Sequence, residues 1–188
     1  AVLVIAGKMY EQKALDLVHE SFGKIPKPAR QLIPTYTKEP TQDGEREVTQ
    51  RRVGDVQVLM AAYHISSGAH PDFPSLDVLS RVLGNQPSGR LYQALVATKK
   101  AAFTFARTYR LREPGVLMAF AQVRREDPVD SARGGMLAAL DEAVSRPPNA
   151  EEVERAKTEI GKNFQLLPNS SEVVALTLSE WASIASVP

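Results

Sequence analysis

The chain has 188 residues, no cysteine, and 23 basic against 22 acidic residues, for a formal net charge of +1. These values exclude disulfides, thiol nucleophiles and thiolate metal sites. They also argue against nucleic-acid binding, since no basic stripe accompanies the balanced charge. A hydrophobic fraction of 43% is that of a globular protein able to bury its own core, and no apolar run approaches the ~20 residues of a membrane-crossing helix.

Val2 to Ala6 reads as a strand, rich in branched apolar residues and stopped by Gly7. Glu11 to Phe22 reads as an amphipathic helix, with Ala14, Val18 and Phe22 four apart and Gly23 as a stop. Strand then helix is the tail of an α/β unit, and "AVLVIAGK" lacks both an initiator Met and the form of a signal peptide. The chain is therefore expected to begin inside a longer protein. Gly23 to Glu45 carries Pro26, Pro28, Pro34 and Pro40, which predicts a stiff, extended connector. The domain boundary is placed here. Residues 1–43 are the end of one domain plus its linker, and residues 44–188 a second domain, expected to be truncated.

Glu47–Val53 and Val56–Ile65 read as strands joined at Gly54–Asp55, a hairpin. Pro71–Gly84 predicts a helix with Leu76, Leu79 and Leu83 on one face, "NQPSG" a turn, and Arg90–Ala97 a second, short helix. Ala102–Leu111 alternates as a strand, "REPG" turns, and Val116–Val123 is the returning strand. Val129–Ser145 is a helix ended by "RPPN". Asn149 can cap the next helix, whose first turn holds Glu151, Glu152 and Glu154, where the helix dipole favours carboxylates. Val153, Ala156, Ile160 and Phe164 form its expected buried face. Ser170 or Ser171 restarts a last helix through Val174, Leu178, Trp181 and Ala185. Hairpin strands with helices between them predict an α+β fold: an antiparallel sheet with helices packed on one face.

The order of these elements carries a resemblance. "LVIAGKMYEQKALDLVHESFGKIPKP", "EPTQDGEREVTQRRVGDVQV", "AAYHISSGAHPDFPSLDVLSRVLGNQPSGRLYQALVATKKAA" and "PPNAEEVERAKTEI" together resemble the pitrilysin/insulinase family of zinc metallopeptidases. Mitochondrial processing peptidase subunits and the cytochrome complex core proteins are related to that family. The resemblance covers essentially the whole chain. It implies that residues 1–43 finish a catalytic-type domain and that 44–188 form a second, non-catalytic domain of the same fold. It also implies a parent that is a zinc-dependent endopeptidase of bacterial origin, with the periplasm as its expected compartment. The implied partners are a peptide substrate and other domains of the same chain or a homologous subunit, with no nucleic acid. The alternative implied by the same resemblance is a catalytically inactive structural or assembly subunit.

In the family, zinc sits on His-x-x-Glu-His plus a later glutamate. His19, His64 and His70 are the only histidines here, and none lies in such a motif. No zinc ligand and no catalytic residue is assigned, and the metal is expected in the parent rather than in this chain. A site on His64, His70 and Asp72 is weighed and set below their reading as strand-end and loop residues. His19 is expected on the solvated side of its helix. Active members carry an Arg and a Tyr seven residues apart, able to stabilise charge on a carbonyl oxygen. Aligned on "ALVATKKAAFTF", those roles fall on Val96 and Phe103, which donate no hydrogen bond, and Leu91, Leu95, Val96, Phe103 and Phe105 are expected instead to pack a helix onto the sheet. Arg90 and Tyr92 remain as candidates for substrate contact, against a turn-anchoring role. Lys99–Lys100 and "VRRED" read as solvated charge at element ends. Gly134–Gly135 costs its helix about 1 kcal/mol per glycine and allows close packing or a kink.

Overall fold

The computed structural model describes residues 2–27, 29 and 41–184. The chain divides into two compact units, Gly7–Val53 on the one hand and Ala1–Ala6 with Gly54–Pro188 on the other. The smaller unit holds one helix, α1 (Glu11–Phe22), which buries none of its residues and ends with the Gly23 N–H on the His19 carbonyl, 2.8 Å away. Much of the expected proline-rich connector, residues 28 and 30–40, lies outside the described residues.

The larger unit is built on three antiparallel strands: β1 (Val56–Ser67), β2 (Phe103–Tyr109) and β3 (Pro114–Arg124), in the order β1-β3-β2. Residue pairs such as Met60↔Phe120 and Phe105↔Phe120 fix the register, so odd residues of β3 share one face and even residues the other. On the odd face Leu117, Ala119, Ala121 and Val123 are buried, and with Ala132, Met136, Ala139 and Leu140 of helix α3 (Val129–Ser145) they form the main core. Helix α2 (Phe73–Gly84) packs on β2 from the same side and on helix α4 (Ala150–Leu166). Small residues in the middle strand let helices approach closely, and Leu83, Leu91 and Leu95 fill the space between layers. The expected α+β layer, helices on one face of an antiparallel sheet, is the observed one.

The hairpin β2–β3, the helix over Val129–Ser145 and the Asn149 cap stand where the sequence places them. Asn149 forms a complete capping box. Its side chain accepts from the Glu152 N–H, and the Glu152 carboxylate accepts from the Asn149 N–H, both at 2.9 Å. Helix α5 (Ser171–Ile184) starts after a 3₁₀ turn at Leu167–Asn169, with the Ser170 hydroxyl accepting from the Val173 N–H.

Three expectations need correction. Val2–Ala6 and Glu47–Val53 are not strands, because no described strand pairs with them. The Gly54–Asp55 hairpin is therefore absent among the described residues. A branched apolar run has strand propensity, but the ladder needs a neighbour. The helix expected from Pro71 begins at Phe73, after a turn in which the Phe73 N–H donates to the His70 carbonyl. Phe164 is not buried: it is 59% exposed and stacks on Trp181 with ring centroids 6.3 Å apart.

Candidate functional site

The passage from Asn85 to Phe105 concentrates the unusual backbone of the chain. Helix α2 ends at Gly84, and a turn reverses the chain, closed by the Gly89 N–H on the Asn85 carbonyl at 2.7 Å. Arg90–Ala97, expected as a short helix, is mainly a π-helical turn over Tyr92–Val96. Lys99 then takes a positive φ of 61° before β2 begins. A wide turn of this kind rotates the following residues out of α-register. Leu91 just before it and Leu95 within it lie wholly in the core, both at 0% exposure.

Arg90 anchors the turn. Its Nε and Nη2 donate to the two carboxylate oxygens of Glu152, each at 2.8 Å, and its Nη1 donates to the Arg146 carbonyl at 2.7 Å. The side chains of Arg90 and Glu152 are only 7% and 15% exposed. The hydrogen bond from Arg90 holds the Glu152 carboxyl at about 2, below its ordinary 4.5. Burial opposes that shift, while the Asn149 N–H and the charges of Arg90 and Arg146 reinforce it. Arg90 in turn is raised, first by its hydrogen bond to Glu152. The guanidinium therefore spends its donors inside the fold: it fastens the α2–β2 connection to the start of α4. Tyr92 lies half-buried on the π-turn, two residues along.

Val96 and Phe103 do not meet as a catalytic pair of donors, having apolar side chains. Leu91 and Leu95 pack the helix side as expected, but Phe103 and Phe105 do not: strand alternation turns them to the other face, where Phe103 lies 5.9 Å from Phe105 and 6.5 Å from Phe120, and Phe105 and Phe120 stack at 4.8 Å. This cluster follows from strand alternation, but its continuation does not. Arg107 lies over the rings of both Phe105, at 5.7 Å, and Tyr109, at 4.4 Å.

The histidines stand apart. His19 is exposed on α1, and His64 is exposed on β1 opposite Val116. The His70 Nδ1 accepts from the Asp72 N–H at 3.2 Å and lies 3.6 Å from the Asp72 carboxylate. Among the described residues no group of three His, Cys, Asp or Glu side chains is arranged to hold a metal ion. The donor set present, one imidazole and one exposed carboxylate in a turn, does not fit a zinc site. A polar groove beside α4 is lined by Asn85, Ser88, Glu151, Glu154, Arg155 and Glu159, among others. Its carboxylates are already taken, Glu151 by Arg155, Glu154 by Lys157, and Glu159 by Arg81 and Asn85.

Comparison with known proteins places the chain among inactive peptidase domains. Residues 1–160 match the family described as the peptidase M16 inactive domain, and the chain belongs to that family. It is 27% identical over 180 residues to the zinc protease PqqE of Helicobacter pylori, covering 94% of this chain and 40% of that protein. Among solved structures it is similar to the inactive peptidase domain of a Bordetella parapertussis protein, at 38% identity and a TM-score of 0.62, over 71% of this chain and 73% of that one. It is also similar to a protease from Helicobacter pylori, at 26% identity and a TM-score of 0.82, over 95% of this chain and 44% of that one. The chain thus spans less than half the length of the curated relative it matches. It is a non-catalytic domain of the pitrilysin type.

Proposed function

We propose that this chain contributes one wall of a peptide-binding chamber in a zinc-dependent endopeptidase whose metal and catalytic groups lie on other parts of the parent protein. The observation that carries this reading is the match to an inactive peptidase domain over residues 1–160. The local chemistry agrees with it: Arg90, the buried cation of the passage, is committed to Glu152 and to backbone carbonyls. Zinc belongs in this reading to the parent, and peptide is its substrate. No helix among the described residues is long and apolar enough to cross a membrane. A periplasmic location is part of the proposal and rests on the resemblance to bacterial relatives.

The test compares the 188-residue chain with its full-length parent, each supplied with zinc, on a set of unstructured peptides. Cleavage by the parent and none by the chain is the expected result. A zinc-loaded parent that cleaves no peptide under any condition would favour the inactive structural or assembly subunit. Cleavage by the 188-residue chain would overturn the assignment of a non-catalytic domain.

A further inference from the structure

Helices α2 and α3 cover one face of the sheet, and among the described residues of the larger unit no helix covers the other. Along that open face Val58, Met60 and Phe103 are 52%, 59% and 42% exposed. Beside them lie Phe105 and Phe120, stacked at 4.8 Å. Aromatic and aliphatic side chains on one strand face form a patch of the kind that marks a binding surface.

The charge on this face is one-sided. None of the residues that strand alternation places there is acidic, and its permanent charges, Arg107 and Arg124, are both positive. Arg107 is exposed and makes no ion pair with a carboxylate among the described residues. Its guanidinium instead lies between the Phe105 and Tyr109 rings and donates to the Tyr109 hydroxyl. The two rings and the Tyr109 hydroxyl hold the planar fork in place while it remains exposed, which prepares it for a carboxylate.

We propose that this face selects extended peptide segments carrying an apolar residue followed two positions later by an aspartate or glutamate. The inference rests on the reading of the chain as a chamber wall and adds the class of peptide. The spacing supplies the register. Phe105 and Arg107 are alternate residues of one strand, about 6.6–6.8 Å apart, and an extended peptide repeats its side chains at the same interval. For a peptide that runs parallel to β2, an apolar side chain over Phe105 and Phe120 brings the second residue beyond it to Arg107. A second copy of the chain is a poorer occupant, since it would set one positive face against another.

The test titrates the 188-residue chain with acetylated and amidated octapeptides that differ only in a central Phe-x-Glu, Phe-x-Gln, Phe-x-Lys or Ser-x-Glu. Calorimetry is expected to show Phe-x-Glu binding about tenfold more tightly than Phe-x-Lys, with a preference that shrinks as salt rises. Arg107→Met is expected to abolish the preference for Glu, Arg107→Lys to retain part of it, and Phe120→Ser to weaken every Phe-containing peptide. Circular dichroism checks that each variant is folded. Equal affinity for Glu, Gln and Lys peptides would overturn the charge selection and leave the chamber-wall reading standing. Absence of binding to all four would overturn both. Binding to anionic vesicles in place of peptides, or self-association through this face in sedimentation, would overturn the proposal in favour of a lipid surface or a second copy.

Discussion

Arg90 and Glu152 face each other across 62 positions of sequence through two parallel N–H···O bonds of 2.8 Å. The same carboxylate closes the capping box of α4, and the same guanidinium holds the Arg146 carbonyl. One pair thus ties the α2–β2 connection, the end of α3 and the start of α4. Removing one partner leaves a buried charge without compensation, which costs about 3–5 kcal/mol. Arg90→Met and Glu152→Gln are each expected to lower the urea midpoint sharply. The double variant should lose clearly less than the sum of the two, because neither charge is then stranded. Additive losses would show that the pair is not the coupling element.

Acid should act through Glu152. Its pKa is depressed, from 4.5 to about 2 in the folded chain. A depressed carboxylate contributes stability that is complete above its unfolded value and is lost as pH falls through its folded value. The window is therefore between about pH 4.5 and pH 2, and the contribution there is up to about 3 kcal/mol. Urea melts of wild type and Glu152→Gln at pH 7, 4 and 2.5 check this. The gap between them should narrow steadily over that range, and a constant gap would contradict it.

The parts legible in the sequence share a cause: each has a local signal. Asn149 before Glu152 is a capping box written three residues apart, and alternation through Phe103, Phe105 and Arg107 sets the faces of β2. What was not legible depends on distant partners. Val2–Ala6 and Glu47–Val53 have strand-forming residues but no neighbouring strand among the described residues. Arg90 could be singled out in sequence as a candidate, yet its partner is set by the packing of α2 on α4. The Arg107 stack needed the rotamer as well as the register. The π-turn at Tyr92–Val96 had no signal, since "YQALV" suits an α-helix equally well.

Two glycines in helices should respond in opposite directions. A Cβ on Gly84 would lie 2.2 Å from the Ala106 nitrogen and 2.8 Å from its carbonyl oxygen, both backbone atoms of β2. Gly84→Ala must push α2 off the sheet, and overpacking of this sort costs about 1–3 kcal/mol or more. Gly134 sits inside α3, and a Cβ added there would meet nothing within 4 Å. Gly134→Ala is expected to stabilise by about 0.5–1 kcal/mol, through helix propensity and a less flexible unfolded chain. Thermal melts read both signs at once, and a destabilising Gly134→Ala would mean that the exposed side of α3 is packed in solution.

The last contrast, between Leu95 and Phe103, tests whether the open face of the sheet is free. Leu95 is 0% exposed on the π-turn and lies against α3, its Cδ2 3.0 Å from where a Gly135 Cβ would stand. Phe103, eight residues on, is 42% exposed on the open face. Leu95→Ala empties a closed core and should cost about 2–5 kcal/mol. Phe103→Ala removes a ring that already touches water on one side, and its cost should stay clearly lower, at about 1–2 kcal/mol. Urea denaturation of the 188-residue chain measures both. If Phe103→Ala proves as costly as Leu95→Ala, the open face is buried in solution and the surface proposed for peptides is not free.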